Sequence, residues 1–208
     1  ARSEPGEFHW ITTTPAEEDR LLYLLGWLGV PAAIAGRLRG PQPEAHYELF
    51  EEAVHFTLTE ARIADGVLQT TPLAFLLGAN VLAVVVPGPS PALDKLHRIY
   101  REDFRKFART SGFLLYELGA LLLESARRVF QHHAAAAERI QLRLFGKVTD
   151  GIFAEVADLT GDLLAFRRTV LAARDLFNEL ATRKSAFVAE SAQPALDILS
   201  DRLERLGF

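Results

Sequence analysis

Few side chains in this 208-residue chain are spaced for chemistry. Asp197 and Asp201 are four residues apart, so on a helix they face one way and offer carboxylate oxygens to a hard cation. The bland reading of the same pair is a solvated helix face with Arg202 and Arg205 close by. His132 and His133 are adjacent, hence about 100° apart on a helix and badly placed to share one metal. His46 and His55 sit in strand-like segments without an obvious third ligand, so the histidines read as surface or packed residues. The carboxylate pairs Glu17–Glu18 and Glu51–Glu52 read as helix starts or solvated turns. Arg167, Arg168 and Arg174 interrupt the apolar run "LLAFRRTVLAARDLFNEL". Their stems can cover apolar surface while the guanidinium groups pair with carboxylates on a neighbouring element; anion binding is the other reading.

Composition removes several function classes. With no cysteine there is no disulfide, thiolate nucleophile or Cys-based zinc site. A formal net charge of −4, with no Lys/Arg block, argues against general nucleic-acid binding. There is no P-loop and no Gly-x-Ser-x-Gly elbow. "GPSPAL" has prolines where backbone amides would have to cradle a phosphate, which leaves Ser90 as a helix N-cap. The first ten residues, "ARSEPGEFHW", hold no apolar signal core, and the lack of any methionine points to a trimmed piece. Gly66–Leu93 is uncharged and long enough to span a bilayer, but Pro72, Pro87, Pro89 and the "GAN" stretch divide it, so a β-hairpin is expected and the chain reads as soluble.

The elements that must position these residues divide into two parts: an α/β layered subdomain over residues 1–107 and a helical part over 108–208, within one continuous domain. "FHWITTT" is expected as a strand leading to a helix with Thr14 as N-cap, Pro15 at the first position and Glu17 closing a capping box. That helix presents Leu21, Leu24, Leu25 and Leu28 and stops near Gly29; a second short helix covers Ala32–Arg39. "AHYELF" and "EAVHFTLTEA" are expected as strands, and "PLAFLL" with "VLAVVV" as a buried hairpin. Ser90–Pro91 starts a helix running to about Phe107, with Leu93, Leu96, Tyr100, Phe104 and Phe107 inward. Two long helices follow, about Phe113–Phe145 and Ile152–Arg183, joined through "GKVTDG" as an antiparallel hairpin. Leu163, Phe166, Val170, Ala173, Phe177 and Leu180 form a heptad seam on the second. A final helix begins near Ala189 and still runs at Phe208, so the native protein is expected to continue.

Several of these segments, in order, resemble the CorA family of divalent-cation transporters, which includes ZntB-like zinc transporters. "WITTTPAEEDRLLYLLGWLGVP" is similar to the family's first strand and helix, with Gly-Val-Pro where relatives have Gly-Ile-His-Pro or Gly-Leu-His-Pro. "QPEAHYELFEEAVHFTL" resembles the family's next strand pair, and "PLAFLLGANVLAVVVPGPSPALDKLHRI" its hairpin and following helix. "GFLLYELGALLLES" and "LAFRRTVLAARDLF" resemble the two long helices. The resemblance implies an α/β/α layered cytoplasmic domain with a helical hairpin and the start of a stalk helix. It further implies a homopentamer at the inner face of the cell membrane, anchored by transmembrane helices beyond Phe208, with a divalent cation (Mg, Co, Ni or Zn) as cargo and neither catalysis nor a cofactor.

The departures from that family carry an expectation of their own. Family members place an acidic pair after the Gly-x-His-Pro segment and further aspartates on the long helix and stalk, binding regulatory magnesium between subunits. The matching positions here are Gly36, Arg37, Ala120 and Ile198, none of which ligates a hard cation. The usual magnesium sensor is therefore expected to be absent, with Asp197 and Asp201 as a weak displaced candidate. Two rival readings stay open at this level: a free-standing interaction scaffold that lost its membrane part, and an enzyme whose site gives no sequence signal.

Overall fold

The computed structural model describes residues 8–38, 46–51, 53–102, 111–146, 150–182 and 192–207. Five strands form one mixed sheet in the order β1-β5-β4-β3-β2: β1 (His9–Thr13), β2 (Tyr47–Leu49), β3 (Ala53–Ala64), β4 (Val67–Gly78) and β5 (Val81–Val85). β1 lies parallel to β5, and every other neighbouring pair is antiparallel. The expected β4–β5 hairpin forms from the uncharged stretch, and among the described residues no helix is long and apolar enough to cross a membrane.

The strand period of two separates the core into two layers. On β4 and β5, Leu73, Phe75, Leu77, Leu82 and Val84 enter one core, while Ala74, Leu76, Val81, Ala83 and Val85 enter the other. The second core is closed by α1 (Glu18–Trp27), α2 (Ala32–Ala35) and the 3-10 turn Gly36–Leu38, through Leu21, Leu25, Ile34 and Leu38. The first, larger core is closed by α3 (Pro91–Glu102), α4 (Ser111–Leu144), α5 (Asp150–Thr182) and α6 (Gln193–Gly207). It draws side chains from both sides of the 107/108 division. The result is an α/β/α arrangement with helices on both faces of the sheet.

Three local expectations need correction. The Thr14 side chain makes no capping bond; Thr13 Oγ1 instead donates to Glu17 Oε2 at 3.1 Å. Pro15 opens a 3-10 turn over Pro15–Glu17, and α1 proper starts at Glu18. Strands β3 and β4 run on past "TEA" and begin before "PLAFLL", because Asp65 and Gly66 both take positive φ (52° and 79°) and close a tight hairpin. Asp-Gly is the dipeptide that such a turn favours. Pro72 is tolerated in β4 because β5 pairs only from Ala74 onward, leaving that stretch without a ladder on one side. The inward positions Phe104 and Phe107, the end at Arg39 and the start near Ala189 lie outside the described residues; the described part of the last helix begins at Gln193.

Helix α1 stops near Gly29 as anticipated, and the φ of that glycine is +85°. Val30 N–H reaches Leu25 O at 2.9 Å and Gly29 N–H reaches Gly26 O at 3.1 Å, the paired bonds of a Schellman stop. Along the two long helices Arg143 meets Glu155, the His133 ring meets Phe166, and Gly119 faces Phe177. The sequence gap widens with distance from the connection, so α4 and α5 run antiparallel. Four members of the heptad seam (Phe166, Val170, Phe177, Leu180) are fully buried. Near the connection Leu142, Phe145 and Phe153 stand largely exposed, at 74%, 84% and 65%.

Candidate functional site

Helix α6 buries Leu196, Leu199 and Leu203 against α4 and α5, a spacing of three and four that defines its inward stripe. Asp197 and Asp201 each follow or precede that stripe and are exposed, as is Ile198 at 46%. The two aspartates lie one turn apart on the helix, and among the described residues no third His, Asp or Glu joins them as a ligand group. Ser200 Oγ on the same helix donates to Arg174 O at 3.4 Å, tying α6 to α5.

Gly36, Arg37, Ala120 and Ile198 do not converge within one chain. Gly36 and Arg37 lie in the 3-10 turn over the α1–α2 core, and Leu38 beside them is buried there. Ala120 packs against the opposite core, and Ile198 sits on α6, which covers that same side. Arg37 Nη2 donates to Glu48 Oε1 at 3.2 Å.

The three arginines do not pair with a neighbouring element as expected. Arg167 and Arg168 are exposed, and no ion pair is made by either among the described residues. Arg174, half-buried, directs both Nε (2.9 Å) and Nη2 (2.6 Å) to Oδ1 of the adjacent Asp175 on its own helix. The four buried seam residues close the packing of α5 without a contribution from Arg167 or Arg168, which stay on its exposed surface.

Histidines prove more informative than their sequence context. His133 is buried against Phe166, and its Nε2 has no hydrogen-bond partner. Burial pulls its pKa below the ordinary value, with His132 adding to the effect and Asp162 opposing it. On the other side of the sheet, β2 and β3 pair Glu48 directly with His55 and Tyr47 with Phe56. His46, two residues before Glu48, shares its face by the pleat, and Thr57 N–H fixes it to β3 by a 3.0 Å bond to His46 O. His46, Glu48 and His55 thus bring one ligand atom each to within 4.8 Å of one another.

His55 is 1% exposed, and neither ring nitrogen has a hydrogen-bond partner. An orphaned buried polar group costs about 1–3 kcal/mol. Burial is also the main reason its pKa falls to about 4, followed by His46; Glu48 pulls it up and Arg37 down. The ring is therefore neutral near neutrality, with a lone pair to offer. The sequence reading placed both histidines on strands but missed Glu48 as the third member. The spacing around "FEEA" permits a tight connection that sets Glu48 opposite His55 but does not fix that register, which the strand pairing supplies.

Comparison with known proteins adds the family. The CorA-like Mg2+ transporter protein family matches residues 5–207, whereas a search of curated proteins gives no match. Among solved structures, the soluble domain of CorA from Methanocaldococcus jannaschii superposes with a TM-score of 0.81 at 18% identity, covering 95% of this chain and 79% of that one. The complete CorA magnesium transporter of the same organism gives 0.80 at 17%, covering 95% and 62%. The ZntB cytoplasmic domain from Vibrio parahaemolyticus gives 0.66 at 14%, covering 96% and 82%. At such identities these likenesses show the fold, and the chain spans less than two thirds of the complete CorA. With the family match covering nearly its whole length, the chain belongs to the CorA-like Mg2+ transporter protein family.

Proposed function

We propose that this chain is the part of a divalent-cation transport protein that stands at the cytoplasmic face of the cell membrane and supports or regulates the pore without catalysing a reaction. The observation that carries this reading is the docking of α6. Its leucines Leu196, Leu199 and Leu203 are buried in the same core as the sheet and both long helices, so a displacement of α6 must move the whole layer. The family match and the likeness to the CorA soluble domain support the same reading. The working assembly would be a homopentamer with α6 near its axis, where Ile198, exposed at 46%, would face a second copy.

In this reading the usual regulatory magnesium is lost. Gly36, Ala120 and Ile198 have no ligand atom, and the Arg37 guanidinium has only donors, so it cannot ligate a cation. Arg167, Arg168 and Arg174 belong to the scaffold beside α6 and touch no transported ion.

Reading the coding sequence past Phe208 and reconstituting the full polypeptide in vesicles tests the transport reading. Two apolar spans of about twenty residues and uptake of a divalent cation are expected; a polypeptide without such spans would make the domain a free-standing scaffold instead. Titrating the domain with Mg2+ tests the lost sensor separately. No saturable stabilisation is expected, and one that disappears in Asp197→Asn or Asp201→Asn would restore a displaced sensor.

A further inference from the structure

We propose that His46, Glu48 and His55 form a binding site for a first-row divalent transition metal, with Zn2+ the best-fitting ion. The ligands come from a pleat and a cross-strand pair: His46 and Glu48 lie two apart on one edge, and His55 stands directly opposite Glu48. Two imidazoles and one carboxylate are the donor set that borderline metals take from proteins, usually with water in the fourth position. Mg2+ wants oxygen ligands in an octahedron and is poorly served here.

The geometry is open but within reach. A tetrahedral zinc with bonds of about 2.0–2.1 Å holds its donors roughly 3.4 Å apart, and the three donors already lie within 4.8 Å. His55 is buried in the interior, so His46 must do the closing. Its side chain is 42% exposed and its ring lies 5.3 Å from that of His55, which leaves it room to swing.

Glu48 is already oriented for the task. Arg37 Nη2 engages Oε1 at 3.2 Å, and Oε2 is left facing His46 Nε2 at 3.5 Å. A charged or hydrogen-bonding partner on the far oxygen is a common support for a ligating carboxylate. The second independent sign is His55 itself, whose two ring nitrogens are buried without a partner beside the other donors. A bound metal would satisfy one of them and clip the three-residue edge strand β2 to β3.

This site does not depend on the transport reading, since it would bind whether or not the polypeptide spans a membrane. Equilibrium dialysis and calorimetry of the chain with Zn2+ alone test it, using Mg2+ as the counter-probe. One Zn2+ per chain is expected, with a raised melting temperature and no comparable Mg2+ effect. His46→Ala and Glu48→Gln should each weaken binding at least about tenfold, and His55→Gln should abolish it. If His55→Gln misfolds, the two exposed-side variants still decide. Binding that survives both His46→Ala and Glu48→Gln but is lost in His132→Ala, or no saturable binding at all, overturns the site.

Discussion

Ser90 Oγ donates to Glu60 Oε2 at 2.5 Å, while the other oxygen of Glu60 accepts the Ala92 N–H at 3.1 Å. A carboxylate from the middle of β3 therefore caps α3 from across the core, with Glu60 only 1% exposed. Ser90 remains the N-cap anticipated from sequence, accepting the Leu93 N–H at 3.3 Å. The two donors at the start of the helix satisfy both oxygens of the buried side chain.

Glu60→Ala leaves both donors buried and unpaired, so it is expected to cost about 3 kcal/mol. Urea unfolding of wild type and variant measures this directly. A loss below about 0.5 kcal/mol, the range of an ordinary surface change, would mean that water replaces the carboxylate.

Gly119 is where α4, α5 and α6 meet. A Cβ there would stand 2.6 Å from Phe177 Cζ and 2.7 Å from Leu199 Cδ1, both on fully buried side chains. Gly119→Ala gains up to about 1 kcal/mol of helix propensity but forces an overpacked core at about 1–3 kcal/mol. Net destabilisation is expected in a thermal melt; a more stable variant would show that α6 can slide aside.

Arg174→Ala and Phe177→Ala separate the charged surface of α5 from its seam. Arg174 pairs with exposed Asp175 next to it, and such a pair contributes at most about 1 kcal/mol. Phe177, 1% exposed, should cost about 3–5 kcal/mol when truncated. If Arg174→Ala is the more damaging of the two in chemical unfolding, the arginine carries a structural role that its contacts do not reveal.

His133 should make the fold acid-sensitive. Its folded pKa lies below the ordinary 6.5, so the unfolded chain takes up the proton first. Its contribution is intact above 6.5 and is lost progressively as the pH falls through and below that value. Unfolding free energies at about pH 7.5 and about pH 5.5 should differ less in His133→Phe than in wild type. An unchanged difference would place the acid sensitivity elsewhere.

Much of the architecture was legible because it is local. The heptad seam of α5, the proline-led start of α3, the glycine stop of α1 and the β4–β5 hairpin are each written in residues a few positions apart. The misreadings arose where local grammar had two solutions. Thr14 could have capped a helix, yet its neighbour Thr13 took Glu17. The Asp65–Gly66 turn lies beyond the most apolar stretches of the two strands it joins, so apolar patterning alone does not mark it.

By itself the sequence determined the periodicities, and with them two faces of a sheet, two long helices and the absence of ligand atoms at Gly36, Ala120 and Ile198. Those follow from side-chain type and spacing within single elements. Tertiary structure alone decided that Glu60 would cap a helix thirty-two residues on at Ala92, that Gly119 must lack a side chain, and that His55 would stand across from Glu48. Each of these depends on register between strands or on the depth of helix packing. A slip of one residue would turn His55 to the other face, so no reading of composition could have assembled that trio.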